Sequence, residues 1–197
     1  ADIPATLGGR FDPPAENALF AAAIAMTLGL GPEVIADALR GFHSDIESNP
    51  GRMNRIEGLA CETYLTSVDG VDPARALARW ARRVDVPGTR RIVTSNAGDR
   101  TDAYLRDSVV ALAEGFDRVH LFEWDDRRGR APGEINAIHR DALRAAGLAP
   151  EAVTAHPDLA TAIAAALAES RPGDLLVVEP KDYRTAWELL TAAARRA

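Results

Sequence analysis

Short apolar runs alternate with longer helix-like segments from residue 53 to the end of the chain. The runs at 90–95, 119–122 and 175–178 contain Val, Ile or Leu, and each is followed by a loop and then by a helix-like segment. Strands that alternate with helices favour a mainly parallel sheet, because each connecting helix packs back onto the sheet. The sequence therefore predicts an α/β fold, with a mainly parallel sheet and helices on both faces.

The predicted elements divide the chain near residue 49. Strands are predicted at 53–57, 59–65, 90–95, 119–122, 153–155 and 175–178, and helices at 72–83, 101–114, 134–146, 157–169 and 183–195. Before them, residues 1–14 are loop-like, residues 15–30 are apolar almost all round as in a buried helix, and a second helix spans 32–40. The polar stretch 43–52 contains Asn49-Pro50-Gly51, a strong loop signal. We therefore predict a hinge there.

Composition narrows the class of protein. The net charge of -6 and the pI of about 5.3 argue against a general nucleic-acid binder. The single cysteine, Cys61, excludes an internal disulfide and suits a reducing cytoplasm. No apolar stretch is long enough to predict a membrane span, and no signal peptide is visible. The chain starts at Ala1 without an initiator Met, so we expect a piece of a longer protein.

The loop at 125–135 carries the strongest signal for a binding site. It follows a predicted strand and precedes a predicted helix, which is where α/β sheets place their ligands. Arg128 and Arg130 are candidate binders of a phosphate or carboxylate, because guanidinium groups offer paired donors. Glu134 falls in the first helical turn, where a negative charge is favourable. A solvated turn followed by a well-charged helix start explains the same residues equally well.

Two further positions are candidates with simpler alternatives. In the loop at 96–100, Arg100 can bind a carboxylate or phosphate and Asp99 a cationic group, whereas helix capping and a surface arginine are the plainer explanation. Asn17 is unusual in an alanine-rich helix that we expect to be buried. Its amide can hydrogen-bond a base edge or, more simply, a backbone group.

Several residue types give no catalytic pattern. His43, His120, His139 and His156 show no metal-ligand spacing, so we interpret them as structural or surface residues and predict no metal site within the chain. Cys61 is expected to fill the core. The three tryptophans are expected to pack in the core or at its rim. Neither G-x-G-x-x-G nor G-x-x-x-x-G-K-[ST] occurs, so the chain has no phosphate-binding P-loop of its own.

Seven short motifs in order resemble the C-terminal part of the Mur ligase superfamily, and within it most closely the cyanophycin synthetases. They are Ile3-Pro4-Ala5-Thr6 with Gly8-Gly9; Glu16-Asn17-Ala18-Leu19; Asn49-Pro50-Gly51-Arg52-Met53-Asn54; Gly98-Asp99-Arg100-Thr101-Asp102; Arg128-Gly129-Arg130 with Gly133-Glu134-Ile135; Arg171-Pro172-Gly173-Asp174-Leu175; and Ala186-Trp187-Glu188. Each motif is weak alone, but together they span nearly the whole chain.

The resemblance implies an architecture and a reaction. Residues 1–48 are expected to be the last helices of a central ATPase domain, and residues 49–197 the Rossmann-like C-terminal domain. Such enzymes use ATP and Mg²⁺, bound mainly by the central domain, to activate a carboxylate that an amine then attacks to form an amide. The implied partners are an amino acid and a peptide or polymer acceptor, in the cytoplasm. Nucleic acid and membrane are not expected as partners, and a homo-oligomer is compatible with the family.

The resemblance also suggests roles for individual residues. Asn17 is expected near the adenine of ATP, and Arg52, at the hinge, near the phosphates or ribose. The loops that carry Asp99, Arg100, Arg128, Arg130 and Glu134 are expected to face the incoming amino acid or the acceptor. These seven positions are the candidate site residues.

One departure from the family pattern lies at residues 63–68. Where the family has Asp-Tyr-Ala-His-Asn-Pro, this chain has Thr63-Tyr64-Leu65-Thr66-Ser67-Val68. The family's aspartate contacts the nucleotide, and a threonine cannot replace its carboxylate. Asp69 or Asp72 can compensate only if the loop is shifted. The alternatives are a divergent ligase, or a non-catalytic binding or assembly module that keeps the fold.

Overall fold

A six-stranded sheet forms the centre of the computed structural model, which describes residues 3–196. The strands are β1 (Asn54–Ile56), β2 (Glu62–Leu65), β3 (Arg90–Thr94), β4 (Arg118–Leu121), β5 (Val153–Ala155) and β6 (Leu175–Glu179). The helices are α1 (Asp12–Thr27), α2 (Pro32–Gly41), α3 (Val71–Arg83), α4 (Asp102–Ala113), α5 (Glu134–Ala145), α6 (Leu159–Glu169) and α7 (Tyr183–Ala194), with short 3-10 helices at Pro4–Thr6 and Pro150–Ala152.

The strand order is β1-β2-β6-β3-β4-β5, and only the β1–β2 pairing is antiparallel. The last strand in sequence, β6, is inserted between β2 and β3 and is buried along its whole length. The carboxyl ends of β2, β6, β3 and β4 therefore meet at one edge of the sheet. The predicted mainly parallel α/β fold is confirmed.

Each face of the sheet has its own hydrophobic core. Leu77 of α3 and Leu112 of α4 pack on the face that carries Val177, whereas Leu190 of α7 packs on the face that carries Val178. Neighbouring residues of β6 point to opposite faces because side chains alternate along a strand. Full burial of such a side chain stabilises the fold by roughly 1.5–3 kcal/mol. This two-sided burial fixes the sheet edge from which the loops project.

A polar cluster is buried at the opposite end of the sheet. Asp174, which the sequence indicates only as a turn residue, accepts hydrogen bonds from the amides of Thr89 at 2.7 Å and Arg171 at 2.8 Å. It also pairs with the buried side chain of Arg91 at 2.6 Å. Burial opposes its charge, yet these three donors hold the pKa of Asp174 below its usual value. The motif at 171–175 therefore has a structural role.

The expectation that the first helix is buried is wrong. Helix α1 begins at Asp12, earlier than predicted, because Pro13 and Pro14 are accommodated in its first turn. Just before its start, Phe11 packs edge-on against Trp80, with the ring centres 6.1 Å apart. Of its residues only Ala18 is buried. Its large apolar side chains and those that follow are exposed: Leu19, Phe20, Ile24, Met26, Leu28 and Leu30.

Candidate functional site

Four loops meet where the parallel strands end. They follow β2 (66–70), β3 (95–101), β4 (122–133) and β6 (180–182). The order of the strands places the loop after β6 between the loops after β2 and β3. Five of the seven candidate residues belong to these loops or to the helix start that follows them. Parallel sheets place ligands at this edge, so the candidate site is built from these loops.

Arg100 joins the loop after β3 to the loop after β2. Its Nη2 donates to both carboxylate oxygens of Asp69 at 2.9 Å. The hydroxyl of Tyr104 donates to the same carboxylate at 2.6 Å, and the guanidinium lies 5.2 Å from the centre of the Tyr104 ring. Partial burial and this bond to Asp69 raise the pKa of Tyr104 to about 12. Arg100 thus has one carboxylate partner among residues 3–196, and its side chain is 43% exposed.

Arg128 and Asp99 form an exposed ion pair between the loops after β3 and β4. The hydrogen bond from Arg128 lowers the pKa of Asp99 and raises that of the guanidinium. Arg128 has a φ of 49°, in the left-handed region that few residues other than glycine adopt. The pair is exposed to solvent, so an incoming carboxylate or phosphate can compete with Asp99 for Arg128.

Arg130 is engaged on all sides by the protein. Its Nε donates to the carbonyl of Gly98 at 2.9 Å, and its Nη2 to the carbonyl of Arg100 at 2.8 Å. Its Nη1 bonds Asp102 at 2.7 Å and Glu134 at 2.8 Å. These bonds link the two loops and the starts of α4 and α5. The structure therefore gives Arg130 a positioning role, and Glu134 is its partner.

Gly98 allows this contact between the loops. A β-carbon added at Gly98 would lie 2.0 Å from the carbonyl oxygen of Arg127. Real β-carbons do not approach an oxygen so closely, so only glycine fits.

Glu134, the partner of Arg130, also accepts a hydrogen bond from the Ala131 amide at 2.9 Å. This bond, and after it the bond from Arg130, lowers the pKa of Glu134. Sequence spacing alone gave no sign of this interlocking.

The remaining two candidates, Asn17 and Arg52, line one cavity of about 650 Å³ between α1 and the loop after β2. Asn17 is exposed, so the expectation that it is buried is wrong. Arg52 is exposed as well, and its Nη1 donates to the carbonyl of Ser67 at 2.9 Å. Asp69 lines the same cavity. The structure thus brings an amide, a guanidinium and a carboxylate together around one space.

Residues 63–68, where the chain departs from the family pattern, place Thr63 in the core and not at the cavity. Thr63 is fully buried, and its hydroxyl donates to the carbonyl of Cys61 at 3.2 Å. It does not line the cavity, whereas Thr66 and Asp69 do. Asp72 instead pairs with Arg75 at 3.4 Å on the outside of α3. Of the two aspartates considered for compensation, Asp69 is the one at the cavity.

Glu179, at the carboxyl end of β6, is a buried polar residue that no sequence motif indicates. It is buried, and its carboxyl group accepts from the hydroxyl of Thr94 at 2.8 Å and from the amide of Val68 at 3.3 Å. Burial raises its pKa to about 8, although these bonds favour the charged form. Glu179 thereby ties the loop after β2 to β3. In the sequence, the one indication of this role is an acidic residue directly after the apolar run 175–178.

The histidines are structural or surface residues, as the sequence predicts: His43 is exposed in its loop, and the other three are buried. His120 and His156 contact each other at 3.1 Å between ring nitrogens, and burial lowers the pKa of His120 to about 4. His139 is completely buried, and burial lowers its pKa to about 4 as well.

Within residues 3–196, no group of three or more His, Cys, Asp or Glu side chains is placed to hold a metal ion. No helix among those residues is long and apolar enough to span a membrane.

Comparison with known sequences gives a family match. The model of the family "Mur ligase, glutamate ligase domain" matches residues 51–181. The cyanophycin synthetase of Synechocystis sp. is 34% identical over 195 residues, which covers 96% of this chain and 21% of that protein. The UDP-N-acetylmuramoyl-L-alanyl-D-glutamate–2,6-diaminopimelate ligase of Solibacter usitatus is 32% identical, covering 86% of this chain and 33% of that protein. The chain thus spans a third or less of these relatives.

Solved structures show the same fold at lower identity. E. coli FolC in complex with DHPP and ADP superimposes with a TM-score of 0.69 at 17% identity, over 92% of this chain and 39% of that one. A pseudomurein peptide ligase type C from Methanothermus fervidus gives a TM-score of 0.67 at 17% identity, over 91% and 36% of the two chains. The similarity extends across both the sheet domain and the N-terminal helices.

Proposed function

Because the chain belongs to the Mur ligase family, we propose that it is the C-terminal part of an ATP-dependent amide ligase that resembles cyanophycin synthetase. Such a ligase joins an activated carboxylate to the amine of an amino acid. The observation that carries the proposal is the cavity of about 650 Å³, which collects Asn17, Arg52 and Asp69 from three separate segments. Small-molecule sites have volumes of about 300–1,000 Å³, so a nucleotide can be accommodated.

The residues at the cavity suit the parts of a nucleotide. The Asn17 amide offers a donor and an acceptor for the edge of an adenine. The Arg52 guanidinium suits a phosphate, and the Asp69 carboxylate can accept hydrogen bonds from ribose hydroxyls in place of the aspartate that Thr63 replaces. ATP with Mg²⁺, when bound, would supply the phosphoryl group that activates the carboxylate. We assign the binding of Mg²⁺ mainly to the central domain of the ligase.

The domain boundaries proposed from sequence fit this function. Residues 1–48 would be the last helices of the central ATPase domain, and residues 49–197 the C-terminal domain. The exposed apolar side chains of α1, such as Leu19, Phe20 and Ile24, support this division, because large apolar patches on a surface normally meet a partner surface. Isolated residues 1–197 are then expected to form no amide by themselves.

The loops after β3 and β4 are proposed to face the amino acid or the acceptor. Arg100 and Arg128 are the stronger candidates for carboxylate or phosphate binding, because each is exposed and held by few partners. Asp99 would release Arg128 when a substrate anion arrives. Arg130 and Glu134 would position the loops. We place the reaction in the cytoplasm, with a peptide or polymer as acceptor.

The test is an amide-formation assay on the complete protein that contains residues 1–197, with ATP, candidate amino acids and acceptor peptides. Amide formation that depends on ATP is expected, and Arg100→Ala is expected to reduce it by at least about tenfold, as for a lost charged hydrogen bond. Arg75→Ala is the control, because Arg75 is exposed on α3 and forms an ion pair only with Asp72 among residues 3–196. Amide formation by residues 1–197 alone would contradict the domain proposal.

The second candidate is a non-catalytic binding or assembly module. The burial of Thr63 away from the cavity favours it, since the usual carboxylate is missing at that position. This alternative predicts no amide formation by the complete protein with any tested substrate. It also predicts that Arg100→Ala leaves any ATP hydrolysis unchanged. Turnover that Arg100→Ala abolishes would exclude it.

A further inference from the structure

Asp69 belongs both to the cavity at Asn17 and to the polar contacts around Arg100. Its side chain is 72% exposed and lines the cavity, whereas Arg100, in the loop after β3, is not among the residues that line it. The proposed function assigns the cavity to a nucleotide and Arg100 to an anionic group of the substrate. Two ligands with separate tasks therefore meet at one carboxylate.

The carboxylate of Asp69 has little capacity left to accept hydrogen bonds. An ionised carboxylate has about four lone-pair positions. Two are taken by Nη2 of Arg100, which lies 2.9 Å from each oxygen, and a third by the hydroxyl of Tyr104, 2.6 Å from Oδ1. The two hydroxyls of a ribose need two acceptor positions, and about one is free. A ribose that donates both hydroxyls to Asp69 therefore displaces one of the bonds already present.

The bonds from Arg100 are the ones that yield. Tyr104 makes the shorter contact and keeps its proton, because partial burial and the bond to Asp69 raise its pKa to about 12. Arg100 reaches both oxygens with a single nitrogen, without the two-nitrogen fork that makes arginine–carboxylate pairs strong. Both side chains of the ion pair are open to solvent, and exposed pairs are weak.

The surroundings allow the Arg100 side chain to move while the loops stay in place. The carbonyl of Arg100 accepts from Nη2 of Arg130 at 2.8 Å, and the amide of Val68 donates to the buried Glu179 at 3.3 Å. Both loops are thus held through their backbones. The guanidinium lies 5.2 Å from the centre of the Tyr104 ring, and this attraction keeps a released Arg100 near the site.

We propose that the Asp69–Arg100 pair couples the two parts of the site: Asp69 holds Arg100 while the cavity is empty, and the ribose hydroxyls of a bound nucleotide release Arg100 for the anionic group of the amino acid or acceptor. This inference rests on the proposed function, because it takes the cavity as the nucleotide site. Coupling between two ligands is reciprocal, so an anion bound to Arg100 also frees Asp69 for the ribose. Each ligand then increases the affinity for the other.

The test measures how fast Arg100 reacts with p-hydroxyphenylglyoxal, a reagent for accessible guanidinium groups, in the complete protein that contains residues 1–197. Digestion and peptide mass spectrometry give the rate at each arginine. The probes are ADP and 2′,3′-dideoxy-ADP, which lacks both ribose hydroxyls, each at a concentration that saturates the protection of Arg52. Arg140, exposed on α5 and outside the cavity, is the reference.

ADP should protect Arg52 and make Arg100 react about two- to sixfold faster, which is the release expected when an exposed ion pair opens. Dideoxy-ADP should protect Arg52 and leave Arg100 at its resting rate. The dependence on the ribose hydroxyls separates release by Asp69 from a general change of shape on nucleotide binding. The rate at Arg140 should stay the same throughout.

Two variants examine the carboxylate itself. Asp69→Ala should raise the rate at Arg100 by the same factor without nucleotide, and ADP should then add no further increase. Asp69 is exposed, so this variant is expected to fold. Asp72→Ala is the matched control, because Asp72 is also exposed but pairs with Arg75 on the outside of α3. Arg100 should respond to ADP in this control as in the wild type.

The outcomes distinguish the coupling from the proposed function. An unchanged or lower rate at Arg100 with ADP, while Arg52 is protected, would overturn the coupling and leave the nucleotide site standing. An equal increase with dideoxy-ADP, or a resting rate in Asp69→Ala equal to that of the wild type, would overturn it as well. If neither nucleotide protects Arg52, the assignment of the cavity to a nucleotide fails, and the coupling fails with it.

Discussion

Glu179→Gln should remove the loss of stability that ionisation of Glu179 causes in residues 1–197 as the pH rises. The carboxyl group is buried beside Thr94 and the amide of Val68, and its pKa is raised from 4.5 to about 8. Between these values the folded protein keeps the proton that the unfolded chain releases. The contribution of Glu179 to the free energy of unfolding of the wild type therefore falls as the pH rises from about 4.5 to about 8.

The size of the effect follows from this interval. At about 1.4 kcal/mol per pH unit, ionisation of Glu179 costs the folded state roughly 4–5 kcal/mol above pH 8. Glutamine cannot ionise but still accepts hydrogen bonds, so the variant avoids this cost. The two proteins should have similar stability near pH 5 and diverge steadily towards pH 8. The buried histidines titrate in both proteins and cancel in the comparison.

Urea unfolding followed by circular dichroism at pH 5, 6, 7 and 8 measures this difference. Glu114→Gln is the control, because Glu114 is exposed at the end of α4 and should show no divergence from the wild type. Parallel stability curves for Glu179→Gln and the wild type would refute the reasoning. They would mean that Glu179 is ionised in the folded protein throughout this range.

Two structural predictions concern contacts that the sequence did not reveal. Asp174→Ala leaves the buried Arg91 without its 2.6 Å partner and should lower the free energy of unfolding by about 3–5 kcal/mol in urea titrations, whereas an unchanged midpoint would contradict a structural ion pair. Gly98→Ala forces a β-carbon against the Arg127 carbonyl and should cost about 1–3 kcal/mol, with NMR shift changes concentrated at 96–102 and 127–131; a neutral effect would show that the loops do not meet there.

The sheet domain could be predicted because local pattern and tertiary burial agree. Every predicted strand and helix after residue 53 is present, with ends that differ by a few residues. The start of α6 is one such end: Asp158 caps the helix, so it begins at Leu159 rather than at Pro157. The sequence of β6 is a continuous apolar run that ends at Glu179, because helices cover both faces of this strand.

Helix α1 shows where pattern and burial disagree. Its alanine-rich, nearly uniform sequence predicts a buried helix, yet most of its apolar surface is exposed. Apolar residues all round a helix indicate two packing partners, and only one is provided by the described residues. The same exposure places Asn17 at the cavity rather than in the core.

The position of the candidate loops could be predicted from sequence, but not the contacts within them. The loops at 96–100 and 125–135 were correctly placed at the carboxyl edge of the sheet. Which arginine remains available depends on partners about 30 residues away, such as Asp99 for Arg128 and Asp102 for Arg130. No short-range pattern encodes such contacts.

The dissociation constant of ATP for the complete protein, measured with and without Arg52→Ala, tests the central claim most directly. Arg52 lines the cavity with Asn17 and Asp69 and, within the described part of the chain, its side chain donates only to the Ser67 carbonyl. Loss of a charged hydrogen bond to phosphate costs about 1.5–3 kcal/mol, so affinity should fall by about 10- to 100-fold, while Arg75→Ala should bind ATP as the wild type does. Equal affinity in the wild type and Arg52→Ala would contradict the assignment of this cavity to the nucleotide.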